Sequence, residues 1–183
     1  MELEATADDS LRAAQYLRDA GAGCIVSLGG DGTCRVVAKG LALPAPSADG
    51  ASVSKGSGDV PVLAISTGTN NVVPTFVEGT VAGLAAAYVA LHPEVERERL
   101  CYRHKRLLVY VNGAQVDQAL VEVALVSTPF TGARAVWQAD SLRQVFCTRA
   151  QPTSIGLSAV VGVVHPVSRL DPVGVSVIIV PDG

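Results

Sequence analysis

One stretch of the chain limits its fold more than any other. The apolar run Cys24–Leu28 is followed at once by Gly29–Thr33, which reads GGDGT, and then by the helix-like run Arg35–Leu41. Glycines permit backbone angles that other residues avoid, and they let N–H groups come close to a ligand. At the start of a helix, those N–H groups and the helix dipole favour an anion, usually a phosphate. The stretch therefore predicts a strand, a phosphate-binding turn and a helix.

Asp31 is the one carboxylate in this turn. Its negative charge would repel a phosphate, unless the carboxylate handles a metal ion or a hydroxyl group. The alternative is structural: Asp31 caps the helix, and the glycines only form a tight turn. The residues of the turn alone leave both roles open.

The composition argues against several classes of function. Charged residues are 17% of the 183 residues and the formal net charge is −3, so the basic surface typical of nucleic-acid binding is missing. No apolar run reaches the roughly 18 residues that span a bilayer, and the acidic N-terminus does not resemble a signal peptide. Four widely spaced cysteines without a CxxC pair predict reduced thiols in a cytoplasmic protein.

The strand–loop–helix arrangement recurs further along the chain. The apolar run Val60–Ile65 predicts a second buried strand, in a parallel sheet that is covered on both faces. The polar loop Ser66–Asn71 follows, and a capping box at Thr75–Glu78 predicts a helix that continues to Leu91. Ligands of open α/β sheets bind beyond the carboxyl ends of the strands. We therefore expect both polar loops to form one binding site.

Ahead of the first strand, Thr6–Asp9 predicts a capped helix that Gly21 and Gly23 end. A doubly wound sheet normally begins with a strand before such a helix, so the domain is expected to be incomplete at its start. The segment 44–59 is rich in Pro, Gly, Ser, Ala and Asp, which predicts a surface loop without chemistry of its own. These patterns predict a Rossmann-like α/β nucleotide-binding domain in residues 1–93.

The pattern changes after Pro93. A charged segment leads into Leu107–Val111, and Asn112-Gly113 is the type I′ signal for a hairpin, with its second strand at 114–127. Later elements are expected as a short helix at 140–144, strands at 144–148 and 174–180, and an apolar stretch at 154–164. Residues 94–183 are therefore predicted to form a β-rich, sandwich-like domain that is incomplete at its end.

GGDGT after one strand, STGTNN after the next and a β-rich domain beyond them resemble the ATP-NAD kinase family. That family shares a superfamily with diacylglycerol and sphingosine kinases. The chain is most similar to the acetoin-catabolism protein X branch, and the similarity covers most of residues 24–183. The stretches that carry it are DGTCRVVAKG, ISTGTNNVVPTFVEGTVAGLAAAYVA, FTGARAVW and TRAQPTSIGLSAVVG.

The resemblance implies an ATP-dependent kinase, with Mg²⁺ accompanying ATP and assembly into a homo-oligomer. Asp31 would be the catalytic residue that orients or deprotonates the acceptor hydroxyl, which in NAD kinases is the 2′-hydroxyl of the adenosyl ribose. The residues implied in the phosphate-binding turn are Gly29, Gly30, Gly32 and Thr33. Those implied in the nucleotide or acceptor pocket are Thr67, Gly68, Thr69, Asn70, Asn71 and Glu122.

Two departures from the NAD kinase pattern keep the acceptor open. NAD kinases carry an Asn-Glu pair where this chain has Val121 before Glu122. Their later glycine-rich substrate loop is only weakly similar to Ser154–Ser158. The acceptor is therefore NAD or another hydroxylated small molecule. The alternative is a nucleotide-binding, regulatory protein that keeps the scaffold without phosphoryl transfer. The presence of Asp31 favours the kinase over the regulatory protein, because a carboxylate has no evident use in binding phosphate.

Overall fold

The computed structural model describes residues 4–42, 60–92, 97–128 and 139–180. The chain forms two compact units, Met1–Tyr102 and Arg103–Gly183. The loop predicted at 44–59, the whole FTGARAVW stretch and the end of the chain lie outside the described residues.

The first unit contains two parallel strands and four helices among its described residues. Their bounds are α1 Ala7–Asp19, β1 Ile25–Gly29, α2 Asp31–Leu41, β2 Val62–Ser66, α3 Gly79–Leu91 and α4 Arg97–Leu100. Ile25 lies opposite Val62, and Gly29 lies opposite Ser66. The predicted strand–turn–helix order and the parallel pairing of the two strands are therefore confirmed.

The sheet is covered on one face rather than on two. Ile25, Ser27 and Gly29 of β1 are buried, whereas Val26 is 45% exposed and Leu28 is 64% exposed. Helix α2 packs against β1, and α1 packs along α2. The prediction of a sheet covered on both faces was wrong for the described residues. An apolar run shows that polar side chains are missing, but it does not show which faces of the sheet a helix covers.

Helix α1 ends as its glycine predicts. The N–H of Gly21 donates to the carbonyl of Arg18 at 3.0 Å, and the N–H of Ala22 donates to that of Leu17 at 2.9 Å. Gly21 has φ +80°. This pair of bonds, with a left-handed residue after the C-cap, is the Schellman motif, in which the last carbonyls of the helix find donors.

The start of α3 differs from its prediction. Glu78, not Thr75, is the N-cap, and its carboxylate accepts the N–H groups of Thr80 at 2.9 Å and Val81 at 3.0 Å. Thr75 instead forms an isolated parallel bridge with Ile65. The backbone N–H of Thr75 bonds back to the sheet, to Ala64 at 3.2 Å, so the helix can begin only after the chain has left the strand.

The described residues of the second unit form two antiparallel sheets. The hairpin of β3 Leu107–Val111 and β4 Ala114–Ala119 turns at Asn112 and Gly113, with φ of +50° and +82°, which a type I′ turn requires. The three-stranded sheet has the order β5-β6-β7. Its elements are β5 Glu122–Val126, the 3-10 helix Ala139–Ser141, β6 Leu142–Cys147, α5 Leu157–Val164 and β7 Val175–Ile178.

One prediction for this unit was wrong, and one stretch left without a predicted structure is now assigned. The strand expected at 114–127 is two strands in different sheets, β4 and β5, separated at Leu120 and Val121. The apolar stretch 154–164 contains a helix, α5, whose Val161 joins the core beside Val145 and Cys147. Small apolar residues suit a strand and a buried helix equally, so their pattern does not distinguish the two. The sandwich packing stays a prediction.

None of the helices in the described part of the chain has the length and apolar character of a membrane-spanning helix.

Replacing Gly21 by alanine should lower the free energy of unfolding by about 1 kcal/mol, because a Cβ disfavours the left-handed conformation. A Cβ at Gly21 would meet no atom within 4 Å, so the loss would report the backbone alone. The matched control is Gly83→Ala in α3, where a Cβ also meets no atom within 4 Å and alanine should stabilise the helix by about 0.5–1 kcal/mol. Chemical denaturation measures both changes in the free energy of unfolding. Two changes of the same sign would contradict the left-handed conformation of Gly21.

Candidate functional site

The two polar loops meet where the parallel strands end. Gly29 and Ser66 are the last residues of β1 and β2 and lie side by side in the sheet. Gly30 is the N-cap of α2, and Asp31 is the first residue of that helix. The N–H of Thr67 donates to the carbonyl of Gly29 at 3.4 Å. The start of α2 and the loop after β2 thus form one surface.

The carboxylate of Asp31 holds the second loop against the start of α2. Its Oδ1 accepts the backbone N–H of Val73 at 2.7 Å and that of Val72 at 3.1 Å. Its Oδ2 accepts the N–H of Val72 at 2.9 Å. A carboxylate offers about four acceptor positions, so one position on Oδ2 remains for a hydroxyl group or a cation.

Asn71 makes the reciprocal connection. Its Oδ1 accepts the backbone N–H of Asp31 at 3.3 Å. Its Nδ2 donates to Ser66 Oγ at 2.8 Å and to the carbonyl of Gly68 at 3.3 Å. The hydroxyl of Ser66 donates in turn to the carbonyl of Gly68 at 2.9 Å. The loop after β2 is therefore fixed to α2 by side chains from both partners.

The glycines of the turn make this close approach possible. A Cβ on Gly30 would lie 2.8 Å from Asn71 Oδ1. A Cβ on Gly29 would collide with the side chain of Thr33. Both residues are thus explained by contacts within the protein, which leaves their role in phosphate binding a prediction.

The start of α2 also presents donors. The first N–H groups of an α-helix lack acceptors within the helix, and they carry the positive end of its dipole. Asp31 N–H is already paired with Asn71, and the N–H groups of Gly32 and Thr33 come next in the first turn.

Burial raises the pKa of the Cys34 thiol, and the negative charge of Asp31 raises it further. The thiol is therefore a neutral core group.

The remaining predicted residues of the loop lie in solvent. Thr67, Gly68, Thr69 and Asn70 are exposed, and Asn70 has φ +62°. Three contributors were absent from the predicted site: the hydroxyl of Ser66 and the backbone N–H groups of Val72 and Val73. Ser66 could have been found as the first polar residue after an apolar strand. Backbone donors carry no sequence signal.

Glu122 belongs to the second unit, where it stabilises the start of α5. Its carboxylate accepts the N–H of Ser158 at 2.7 Å and that of Leu157 at 3.3 Å. Burial, with a smaller effect of the Glu122 charge, raises the pKa of the neighbouring Cys147 thiol to about 11. The structure therefore shows Glu122 as a helix-capping residue, and its contact with a nucleotide stays a prediction. The described residues contain no group of three or more His, Cys, Asp or Glu side chains that could hold a metal.

The two halves of the chain match two different family models. Residues 1–97 match the family model of the diacylglycerol kinase catalytic domain. Residues 105–183 match that of the acetoin catabolism protein X C-terminal domain. The chain is 36% identical over 181 residues to acetoin catabolism protein X of Cupriavidus necator, an alignment that covers 97% of this chain and 46% of that protein. The chain thus spans about half the length of the curated relative. No solved structure matches it.

Asp31→Ala should lower the free energy of unfolding of the first unit by about 2 kcal/mol, because the N–H groups of Val72 and Val73 lose a charged acceptor. Asp31→Asn should cost less, since one acceptor oxygen remains. The control is Asp19→Ala: Asp19 is 66% exposed and pairs with Arg18 on the surface, so its loss should cost about 0.5 kcal/mol or less. Amide hydrogen exchange at Val72 and Val73 should become faster only in the Asp31 variants. Equal losses of unfolding free energy in all three variants would show that Asp31 does not hold the loop after β2.

Gly30→Ala should displace the side-chain amide of Asn71 without straining the backbone, since Gly30 has φ −103°. The two sites should therefore be coupled. In an Asn71→Ala background, Gly30→Ala should cost at least about 0.5 kcal/mol less than it does in the original chain. A double-mutant cycle from urea unfolding measures this, and strictly additive losses would show that the two residues do not interact.

Proposed function

Because the chain belongs to the diacylglycerol kinase catalytic domain family, we propose that it carries the scaffold of an ATP-dependent small-molecule kinase of the NAD kinase type. The acceptor is NAD, at the 2′-hydroxyl of its adenosyl ribose, or a related hydroxylated molecule. The observation that supports this most directly is the junction of GGDGT with the loop after β2, where the first turn of α2 lies beside a carboxylate that keeps one acceptor position.

The start of α2 would bind the phosphates of ATP. Its donors are the N–H groups of Gly32 and Thr33, and the helix dipole favours negative charge at the same place. A phosphate oxygen would compete with Asn71 Oδ1 for the N–H of Asp31, which Asn71 holds at 3.3 Å. Asn71 Oδ1 would then lose this donor, while its Nδ2 keeps the bonds to Ser66 Oγ and to the carbonyl of Gly68. On this proposal Asn71 marks the phosphate position in the ligand-free protein.

Mg²⁺ would accompany ATP, and among the described residues of this junction Asp31 is the carboxylate. Mg²⁺ commonly takes one or two carboxylates and completes its shell with phosphate oxygens and water. On this proposal the remaining acceptor position of Asp31 serves the acceptor hydroxyl, so the phosphates of ATP would hold the ion, which would supply neutralisation of their charge. The donors at the helix start and the position of Asp31 are what the chain itself contributes.

The transfer needs little covalent work from the protein. The acceptor hydroxyl oxygen forms a bond to the γ-phosphorus, the bond from that phosphorus to the bridging oxygen of ADP breaks, and ADP leaves. The hydroxyl proton passes to Asp31 or to water. Because Oδ2 of Asp31 keeps one acceptor position, the residue can orient the hydroxyl while Oδ1 still holds Val72 and Val73.

A second candidate is a nucleotide-binding, regulatory protein without phosphoryl transfer, in the acetoin catabolism to which the relative's name refers. One observation favours it: three hydrogen bonds already engage the Asp31 carboxylate inside the protein. A structural use therefore accounts for the residue without any catalysis. The two candidates predict the same nucleotide contacts and differ in the reaction.

Mg-ATP should raise the unfolding temperature of this chain by several degrees, since a ligand at about 100 times its Kd stabilises by about 2.7 kcal/mol. NAD and NADP are tested separately in the same way. Phosphate transfer is then followed with γ-labelled ATP and NAD. Asp31→Asn should keep the shift with ATP and lose transfer, while the surface control Asp19→Asn keeps both.

Each result decides between the candidates. A shift with ATP, together with transfer that Asp31→Asn abolishes, supports the kinase. A shift without transfer to NAD or to other hydroxylated metabolites supports the regulatory protein. The absence of any shift with ATP would contradict both.

A further inference from the structure

The chain returns to the sheet after the loop that follows β2. Thr75 forms a parallel bridge with Ile65, on the edge of β2 that β1 does not use. The N–H of Thr75 donates to the carbonyl of Ala64 at 3.2 Å, and the N–H of Ser66 donates to that of Thr75 at 2.9 Å. Because the bridge is parallel, the next residue, Phe76, lies alongside Ser66 at the carboxyl end of the sheet.

The backbone is fixed on both sides of Phe76. Before it, Pro74 is buried, and the N–H of Val73 is held by the Asp31 carboxylate at 2.7 Å. After it, the carboxylate of Glu78 caps the start of α3. The position of Phe76 is therefore set by the same hydrogen bonds that form the candidate site.

The side chain of Phe76 is 76% exposed at this end of the sheet. An extended segment alternates its side chains between the two faces, so Phe76 falls on the face of Ser66 and Gly29, where α2 packs. Neighbouring strands lie about 4.8 Å apart, and β2 lies between, so the backbone of Phe76 is about 10 Å from the end of β1. This distance is comparable with the span from the phosphates of a nucleotide to its base.

We propose that Phe76 is a stacking platform for the adenine ring of a nucleotide whose phosphates lie at the start of α2. The inference rests on the proposed function and adds recognition of the base to it. A phenyl ring offers a flat, uncharged face, and aromatic side chains bind bases by stacking on them. ATP and NAD both contain adenine, so the ring is the chemistry that Phe76 recognises in either nucleotide.

The test compares ligands with and without adenine by titration calorimetry. The pairs are Mg-ATP with Mg-tripolyphosphate, and NAD with nicotinamide mononucleotide. Phe76→Ala should weaken binding of an adenine-containing ligand at least about tenfold and leave the ligand without adenine unchanged. A loss with Mg-ATP assigns the platform to the phosphate donor, and a loss with NAD assigns it to the acceptor.

Two further variants separate stacking from a structural effect. Phe76→Trp should restore the affinity, and its fluorescence should change when the nucleotide binds, relative to the original chain with Trp137 alone. Tyr16→Ala is the matched control, because Tyr16 is 70% exposed on α1 and should leave all four affinities unchanged. The urea midpoint of Phe76→Ala should equal that of the original chain, since the ring is exposed.

The outcomes distinguish this inference from the proposed function. Equal affinities for Mg-ATP and NAD in Phe76→Ala and in the original chain would overturn the platform and leave the proposed function intact. An equal loss of Mg-tripolyphosphate and Mg-ATP binding would also overturn the platform, because Phe76 would then act through the phosphate site. Failure of the original chain to bind any of the four ligands would overturn both.

Discussion

The hydrogen bonds from the backbone of Val72 and Val73 to the Asp31 carboxylate hold the first unit's functional surface together. They join residues 41 and 42 positions apart in the sequence, at distances down to 2.7 Å. Hydrogen bonds to a charged group contribute about 1.5–3 kcal/mol each, more than any neutral contact at this junction. Asn71 joins the same loop to α2 from the other side, by accepting the N–H of Asp31. The polar loop keeps its place because a charge at the helix start attracts its amides.

The same physical device recurs in both units. Asp31, Glu78 and Glu122 each direct a carboxylate at backbone N–H groups beside the start of a helix. For Glu78 and Glu122 these are N–H groups in the first turn of a helix, which lack partners within it, and the helix dipole favours a negative charge there. For Asp31, itself the first residue of α2, they are the N–H groups of Val72 and Val73 in the loop after β2. For Glu78 the two bonds from Thr80 and Val81 lower the pKa of its carboxyl. A carboxylate that supports a helix start is thus ordinary in this chain, and Asp31 differs in that it holds a separate loop instead of the first turn of a helix.

The strand β1 positions the candidate site, because the GGDGT turn follows it directly. On one edge β2 supplies regular parallel pairing from Ile25 to Gly29, while α2 packs against β1 and α1 packs along α2. Among the described residues, no strand pairs with the other edge of β1. The position of the turn therefore depends on the pairing with β2 and on the two helices.

The sequence by itself determined what depends on neighbouring residues. Glycine at position 21 ends α1, Asn112-Gly113 turns the hairpin, and two apolar runs with polar loops predict parallel strands whose carboxyl ends share an edge. Only the tertiary structure decided that Asp31 binds the amides of Val72 and Val73, that Glu122 caps a helix 35 residues away, and that one face of β1 stays exposed. Backbone donors are present at every residue and carry no sequence signature, and the choice among them is made when distant segments pack.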